Sequence, residues 1–176
     1  MFRDLKSYFK RIYWTKYFKR HCMEYGSRMK VTGPVVIIGG GDISCGDDLL
    51  IRTDWFGPVQ VHVASNAKLI MGDKVFLNNR VHISCSSKIR IGTHCDIADE
   101  CIIIDNDYHD VGNTPAKQAP IIIEDNVWLA SRVIVLKGVT IGEGSVIGAG
   151  SVVTKSIPPR SFASGNPARV IKSIEK

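Results

Sequence analysis

The sequence predicts an all-β protein built as a parallel β-helix, and three observations carry that reading. Residues 123–158 divide into six consecutive six-residue units in one register: IEDNVW, LASRVI, VLKGVT, IGEGSV, IGAGSV and VTKSIP. The first position of every unit is a branched aliphatic, namely Ile123, Leu129, Val135, Ile141, Ile147 and Val153. This period fits neither an amphipathic helix, whose apolar side returns every 3.6 residues, nor a half-buried strand, whose apolar side returns every two. A fixed period of six belongs to a solenoid in which each unit supplies one short strand and one turn. Three units then close a triangular coil, and stacked coils pair strand on strand at ~4.8 Å.

The elements follow in order. Residues 1–28 form a basic arm. Within it Phe2, Leu5, Phe9, Ile12 and Tyr13 are spaced for one face of a helix over 2–22, with Arg3, Lys6, Lys10 and Arg11 between them. The β-helix body spans 29–166. It starts in degenerate form with Val31, Ile37, Ile43 and Leu49 six apart, and Gly33-Pro34 and Gly39-Gly40-Gly41 mark corners. Asp54-Trp55-Phe56-Gly57-Pro58 breaks the register and predicts a small protruding loop. Met71, Leu77 and Ile83 resume the repeat, and a two-residue insertion then shifts it to Ile91, Ile97 and Ile103. Residues 107–120, DYHDVGNTPAKQAP, are poor in aliphatics and predict a loop thrown out of the coil. Loops on a rigid scaffold are where function concentrates. Second-position glycines such as Gly142 and Gly148 are assigned to corners, where glycine adopts backbone angles that other residues resist. The repeat stops at Pro158-Pro159, and 167–176 is read as a short strand or helix closing the stack. About six coils at the strand spacing give a length of ~29 Å.

Composition narrows the class. With 176 residues, 44% of them hydrophobic, the chain suits one domain. No run approaches the ~18 apolar residues of a membrane span, and the first residues carry too many charges for a secretory signal. Five cysteines (Cys22, Cys45, Cys85, Cys95, Cys101) form no CxxC pair and are odd in number, which argues against a disulfide framework. Cys95 and Cys101 fall at fifth positions and read as buried thiols; a reducing cytoplasm is the expected location. The net charge of +6 is concentrated at the start, where residues 1–30 hold nine Lys/Arg and two Asp/Glu. The body is close to neutral, which argues against nucleic acid as a partner.

The stretch NVWLASRVIVLKGVTIGEGSVIGAGSVVTKSIPPRSFASGNPARVI resembles the hexapeptide-repeat acyltransferase superfamily. Within it the stretch is most similar to the sugar and polysaccharide O-acetyltransferase branch, which includes maltose and galactoside acetyltransferases. The resemblance implies a left-handed β-helix; the repeat alone does not, since ordinary parallel crossovers are right-handed. It implies transfer from acetyl-CoA to a hydroxyl of a sugar or glycan precursor, a homotrimer with active sites between subunits, and no metal. His109 closes a D-x-x-x-H segment at the loop and matches the family's catalytic base. An imidazole titrating near ~6.5 suits removal of a hydroxyl proton at neutral pH. Asp105, Asp107 and Asp110 are each placed to orient it, although Asp and Asn also favour turns; the choice stays open. No Cys or Ser stands beside His109 as a nucleophile, so transfer is expected to be direct. Asn78 and Asn79 resemble the acceptor-contacting segment, shifted by a residue or two, with Arg80 where an Asn is expected. On the donor side the matching positions are Ser131, Ala149, Thr154, Lys155 and Arg169, with Lys155 and Arg169 suited to phosphates. A backbone amide near Ala130 or Ser131 is the candidate oxyanion donor. Trp128 either lines the donor groove or packs in the trimer interface.

Other readings share the fold: a xenobiotic acetyltransferase, an amino-sugar N-acyltransferase, a non-enzymatic scaffold, or a metal-dependent hydratase. For the hydratase, His62 and His82 stack on one face, but no second histidine stands by His109. Residues 1–30 also hold eight of the fourteen aromatics. The arm therefore either caps the first coil through Phe2, Leu5, Phe9 and Ile12, covering an open strand edge, or lets residues 1–22 contact an anionic membrane peripherally, as an enzyme modifying lipid-linked glycans would.

Overall fold

The six-residue period closes into triangular coils. The computed structural model describes residues 2–53, 57–110 and 112–175, the side chains of 2–4 excepted. Residues 54–56, the centre of the loop expected at Asp54–Pro58, lie outside the described residues.

Successive strands step round three sheets, here called faces A, B and C. Face A stacks Glu24–Tyr25, Asp42–Cys45, Lys68–Met71, Lys88–Ile91, Ile121–Ile123 and Thr140–Ile141. Face B stacks Lys30–Val31, Leu50–Ile51, Phe76–Leu77, Asp96–Ile97, Trp128–Leu129, Val146–Ile147, Ser161–Gly165 and Ala168–Ser173. Face C stacks Val35–Ile38, Val59–Val63, His82–Cys85, Ile102–Ile104, Ile134–Leu136 and Val152–Val153. Each coil thus runs A, B, C, and six coils are complete. Ladders between coils are parallel, and each aliphatic lands on its counterpart one coil away. On face B, Val31, Ile51, Leu77, Ile97, Leu129, Ile147 and Ala163 pair in sequence and are fully buried. Burying each such Leu or Ile contributes roughly 1.5–3 kcal/mol. The core is therefore a continuous column that no single coil could form alone.

The corners use glycine differently from the expectation. The left-handed backbone position between faces A and B is taken by Asp48, Lys74, His94, Asn126 and Gly144, with φ of 58°, 53°, 55°, 59° and 68°. The second-position glycines do not have positive φ. They are needed because the next coil passes too close: a Cβ on Gly142 would stand 2.3 Å from the Pro159 nitrogen, and one on Gly46 2.2 Å from Asp73 Oδ1. Asp73 Oδ1 in turn accepts the Asp47 amide at 2.7 Å, and Asp125 Oδ1 the Thr93 amide at 2.9 Å. Close approach and this ladder of carboxylates lock coil to coil.

The arm forms helix α1, Phe2–Lys19. Phe18 is fully buried, and Trp14 and Cys22 pack against the same core. The Thr15 hydroxyl accepts the Val31 amide at 3.0 Å, tying α1 to the first coil. The cap is real, but it is not made by the residues expected for it. Leu5 and Phe9 are 54% and 60% exposed, and Ile12 is half-buried. Nine residues separate Phe9 from Phe18, two and a half turns, so the two point to opposite sides of the helix. At the other end, Ala168–Ser173 folds back antiparallel on Ser161–Gly165 and covers the edge of face B. Burial pushes the core thiols up, Cys85 to about 12 and Cys95 and Cys101 to about 11.

Candidate functional site

The expected site residues fall at the two edges of face C. The chain leaves face C after Ile104 and enters face A at Ile121, and the excursion expected at 107–120 lies between them. Its stems pair antiparallel, with Asn106 bridged to Gln118, the Asp107 amide donating to the Lys117 carbonyl, and the Ala119 amide to the Asp105 carbonyl. Asp110 Oδ1 accepts the Ala116 amide at 2.7 Å and closes the tip. These bonds hold His109 exposed at the edge between faces C and A, its own amide donating to the Asp107 carbonyl at 2.7 Å.

None of the three aspartates bonds the imidazole within the chain. Asp105 is fully buried, and its carboxylate accepts the amides of Ser86, Ser87 and Lys88 at 2.7, 2.8 and 2.9 Å. It fixes the preceding coil's corner instead of His109, because the two-residue insertion there exposes a nest of amides that needs an anion. Asp107 faces Lys137 of the next coil and also accepts the Lys117 amide at 3.1 Å. The Lys137 ammonium holds its carboxyl below the usual carboxylate range. Tyr108, at φ 60°, reaches its hydroxyl to Ser84 on face C. A groove of about 350 Å³ runs beneath the loop, walled by Ser86, Asn106, Asp107, Tyr108 and Lys117. Thr154 and Lys155 follow strand Val152–Val153, so they lie exposed on this same edge.

The opposite edge, between faces B and C, carries the larger groove, about 500 Å³. Asn79, Arg80, Asp99, Glu100, Ser131, Arg132, Ala149 and Gly150 line it. The expected acceptor residue Asn79 and the expected donor residues Ser131 and Ala149 thus share one wall. Asn78 and Asn79 both donate to Asp99 at 3.0 Å, and Asn78 Oδ1 accepts the Asn79 amide. Glu100 sits between Arg80 at 3.3 Å and Arg132 at 3.1 Å. The Ala130 amide is occupied by the Ile147 carbonyl, which leaves Ser131 as the candidate oxyanion donor of the pair. Arg169 pairs with Ser164, just beyond the Ala163 that follows Ile147 on face B. Gly148 lies against Ser164, so Arg169 belongs to the groove side. Trp128 is 50% exposed on face B, between Asp96 and Val146, and not on face C.

Asp99, Glu100, Arg132 and Lys137 were not singled out from the sequence. Their signal is coil spacing: Asn79 and Asp99 are one coil apart, as are Arg80 and Glu100. The loop then stretches the next interval from Glu100 to Arg132.

Comparison with known proteins agrees with this architecture. Residues 120–155 match the family described as bacterial transferase hexapeptide (six repeats). A Schizosaccharomyces pombe protein that carries the name acetyltransferase (C18B11.09c) is 68% identical over 56 residues, 32% of this chain and 27% of that one. The colanic acid biosynthesis acetyltransferase WcaF of Escherichia coli K12 is 37% identical over 106 residues, 60% of this chain and 58% of that one. The structure of AntD, an N-acyltransferase from Bacillus cereus solved with dTDP and coenzyme A, superposes with a TM-score of 0.77 at 20% identity, covering 92% of this chain and 89% of that one. The chain spans about 30% of the length of the first curated relatives it matches. Coil, corner and repeat define a hexapeptide-repeat β-helix with grooves at its edges. Residues 120–155 carry the bacterial transferase hexapeptide repeat, and the chain is similar in sequence and fold to hexapeptide-repeat acyltransferases.

Proposed function

We infer that the chain is an acetyl-CoA-dependent O-acetyltransferase that acylates a hydroxyl of a saccharide or glycan precursor, acting as a cytoplasmic homotrimer. One observation carries this reading: the residues matched to the catalytic base and part of the donor site lie on one edge of face C, and the rest lie on the other. His109, Thr154 and Lys155 occupy the edge toward face A; Asn78, Asn79, Ser131, Ala149 and Arg169 occupy the edge toward face B. A single prism keeps these edges apart. Three copies packed through face C set the first edge of one copy against the second edge of the next. Face C suits that contact. Its outward positions include Val36, Ile38, Ile102, Ile104, Ile134, Leu136 and Val152, and no Asp, Glu, Lys or Arg stands in its described strands. Exposed apolar area of this extent marks an interaction face.

In this reading a neutral His109 takes the proton of the acceptor hydroxyl as the oxygen attacks the thioester carbonyl. The tetrahedral oxyanion is met by the Ser131 amide of the neighbouring copy. Collapse breaks the C–S bond, and the imidazolium returns its proton to the leaving thiolate. The products are an acetyl ester and free coenzyme A. Similarity to WcaF supports a saccharide acceptor. Similarity of fold to AntD, an N-acyltransferase, favours the second reading, transfer to an amino sugar.

The test is thiol release from acetyl-CoA with a panel of sugars and nucleotide sugars. His109→Ala is expected to lower turnover by ~10²–10⁴ with sedimentation unchanged. Near-normal turnover in that variant would sink His109 as the base. Product cleaved by hydroxylamine is an ester; a resistant product is an amide and selects the amino-sugar reading.

A further inference from the structure

Helix α1 divides into two halves with different fates. Its second half seats Trp14 and Phe18 on the first coil, with Cys22 just beyond its end. Its first half leaves Leu5, Phe9 and Tyr13 exposed at 54%, 60% and 61%, four residues apart along one stripe, with Tyr8 beside them at 49%. The stripe stands opposite Phe18, so the packing that buries the cap requires these side chains to face away from the protein. No Asp or Glu occurs between Leu5 and Met23, while Lys6, Lys10, Arg11, Lys16, Lys19 and Arg20 do. None of these six cations forms an ion pair among the described residues. Lys19 and Arg11 instead lie over the Tyr25 and Tyr8 rings, at 4.6 and 5.6 Å.

We propose that this outer stripe of α1 is a peripheral docking surface for an anionic lipid bilayer. Three features single out that occupant. An apolar and aromatic stripe with cations on both flanks matches the headgroup boundary, where rings sit at the interface and Lys and Arg reach the lipid phosphates. The uninterrupted positive charge opposes a second copy of the same helix and favours an anionic surface. No helix of the described residues is long and apolar enough to cross a membrane, so the helix lies on the surface and does not span it. The body of the molecule, near neutral, adds no competing field.

The arrangement also answers a question of strength. One short amphipathic segment binds a bilayer weakly, and stable attachment takes more than one anchor. In a trimer whose threefold axis follows the coil stack, all three copies of α1 emerge at the first-coil end. Three weak contacts then act on one surface as a single strong one. This last step rests on the trimer reading; the docking surface itself does not.

The experiment uses the full chain and phosphatidylcholine vesicles with and without phosphatidylglycerol, at low and high salt. The chain is expected to co-sediment with the phosphatidylglycerol vesicles at low salt and to release at high salt. Lys6→Gln with Lys10→Gln should weaken partition by about thirtyfold. Leu5→Ser, Phe9→Ser and Tyr13→Ser together should abolish it with sedimentation in solution unchanged; Tyr13 leans on Trp14, ring centroids 5.1 Å apart, so Leu5→Ser with Phe9→Ser is the pair whose thermal midpoint should stay that of the parent. Phe9→Trp should shift its emission to the blue on vesicle addition. No partition at low salt overturns the proposal, as does unchanged partition of the triple serine variant. A change in sedimentation of that variant, without vesicle binding by the parent, assigns the stripe to contact between copies and also overturns it. A chain that sediments as a monomer yet partitions with the same residue dependence removes the trimer and leaves the docking surface standing.

Discussion

The Asp105 carboxylate accepts three backbone amides at once, from Ser86, Ser87 and Lys88, and is fully buried. Removing it leaves those donors unmet at a corner that the coil geometry cannot relax. Asp105→Ala should therefore cost about 3 kcal/mol in denaturant unfolding, as a buried acceptor of several bonds does. A variant of wild-type stability with low turnover would return Asp105 to a direct role at His109. Asp105, Asp107 and His109 are close along the chain, and that nearness is all the sequence shows of them. It could not show that the insertion at Ser86-Ser87, a coil earlier, presents amides that claim the first of them. A second residue-scale expectation concerns the thiols. Cys22 is half-buried, its sulfur 3.9 Å from that of Cys45. A hydrogen bond from Cys45 holds the Cys22 thiol below its ordinary value, whereas burial pushes Cys85, Cys95 and Cys101 up. Iodoacetamide should alkylate the native protein first at Cys22, whose thiol is held below its ordinary value. Mass mapping that finds Cys95 or Cys101 modified first would contradict this order.

At the scale of elements, face C is the surface to probe. His82 lies there beside Ile102 and Gln60 in the outward column, and His62 is one strand away. Burial, with a smaller contribution from the charge of His62, holds the His82 imidazole below its ordinary value. The folded state therefore binds fewer protons at His82 than the unfolded chain. Stability from this group is complete above the unfolded value near ~6.5 and is lost as pH falls toward the lower folded value. His82→Gln should flatten the decline of thermal midpoint below that pH; an unchanged acid arm would show that other groups set it. The six-residue period revealed the inward columns from Met71 onward, because inward positions must repeat for the coils to stack, but in the second coil it ran two residues early: Cys45 and Ile51, not Ile43 and Leu49, pair with Met71 and Leu77. It said little about which outward face is apolar, since outward positions carry no such constraint. The capping face of α1 was misplaced for a related reason. Leu5, Phe9 and Ile12 have the spacing of a buried stripe, but only tertiary packing decides which stripe of a helix rich in aromatics meets the core.

For the whole molecule, the decisive matter is whether the two edges of face C work together across copies. Ile134 faces outward on face C, and in the proposed trimer Ile134→Glu would place a carboxylate against its symmetry mates. This change is expected to give a folded monomer in sedimentation, with turnover lost along with the trimer. Complementation tests the shared site more directly. His109→Ala removes the base on one edge, and Ser131→Trp fills the groove on the other. Each variant alone should be inactive. In equal mixtures, unfolded and refolded together, about a quarter of the sites in a cyclic assembly combine an intact base from one copy with an intact groove from its neighbour. Activity should therefore return to about a quarter of the wild-type level. If base and groove served the same chain, no mixed trimer would hold a complete site, and activity would stay at the level of the single variants. Recovery thus requires that His109 of one subunit act over Ser131 of the next, as the proposed trimer expects.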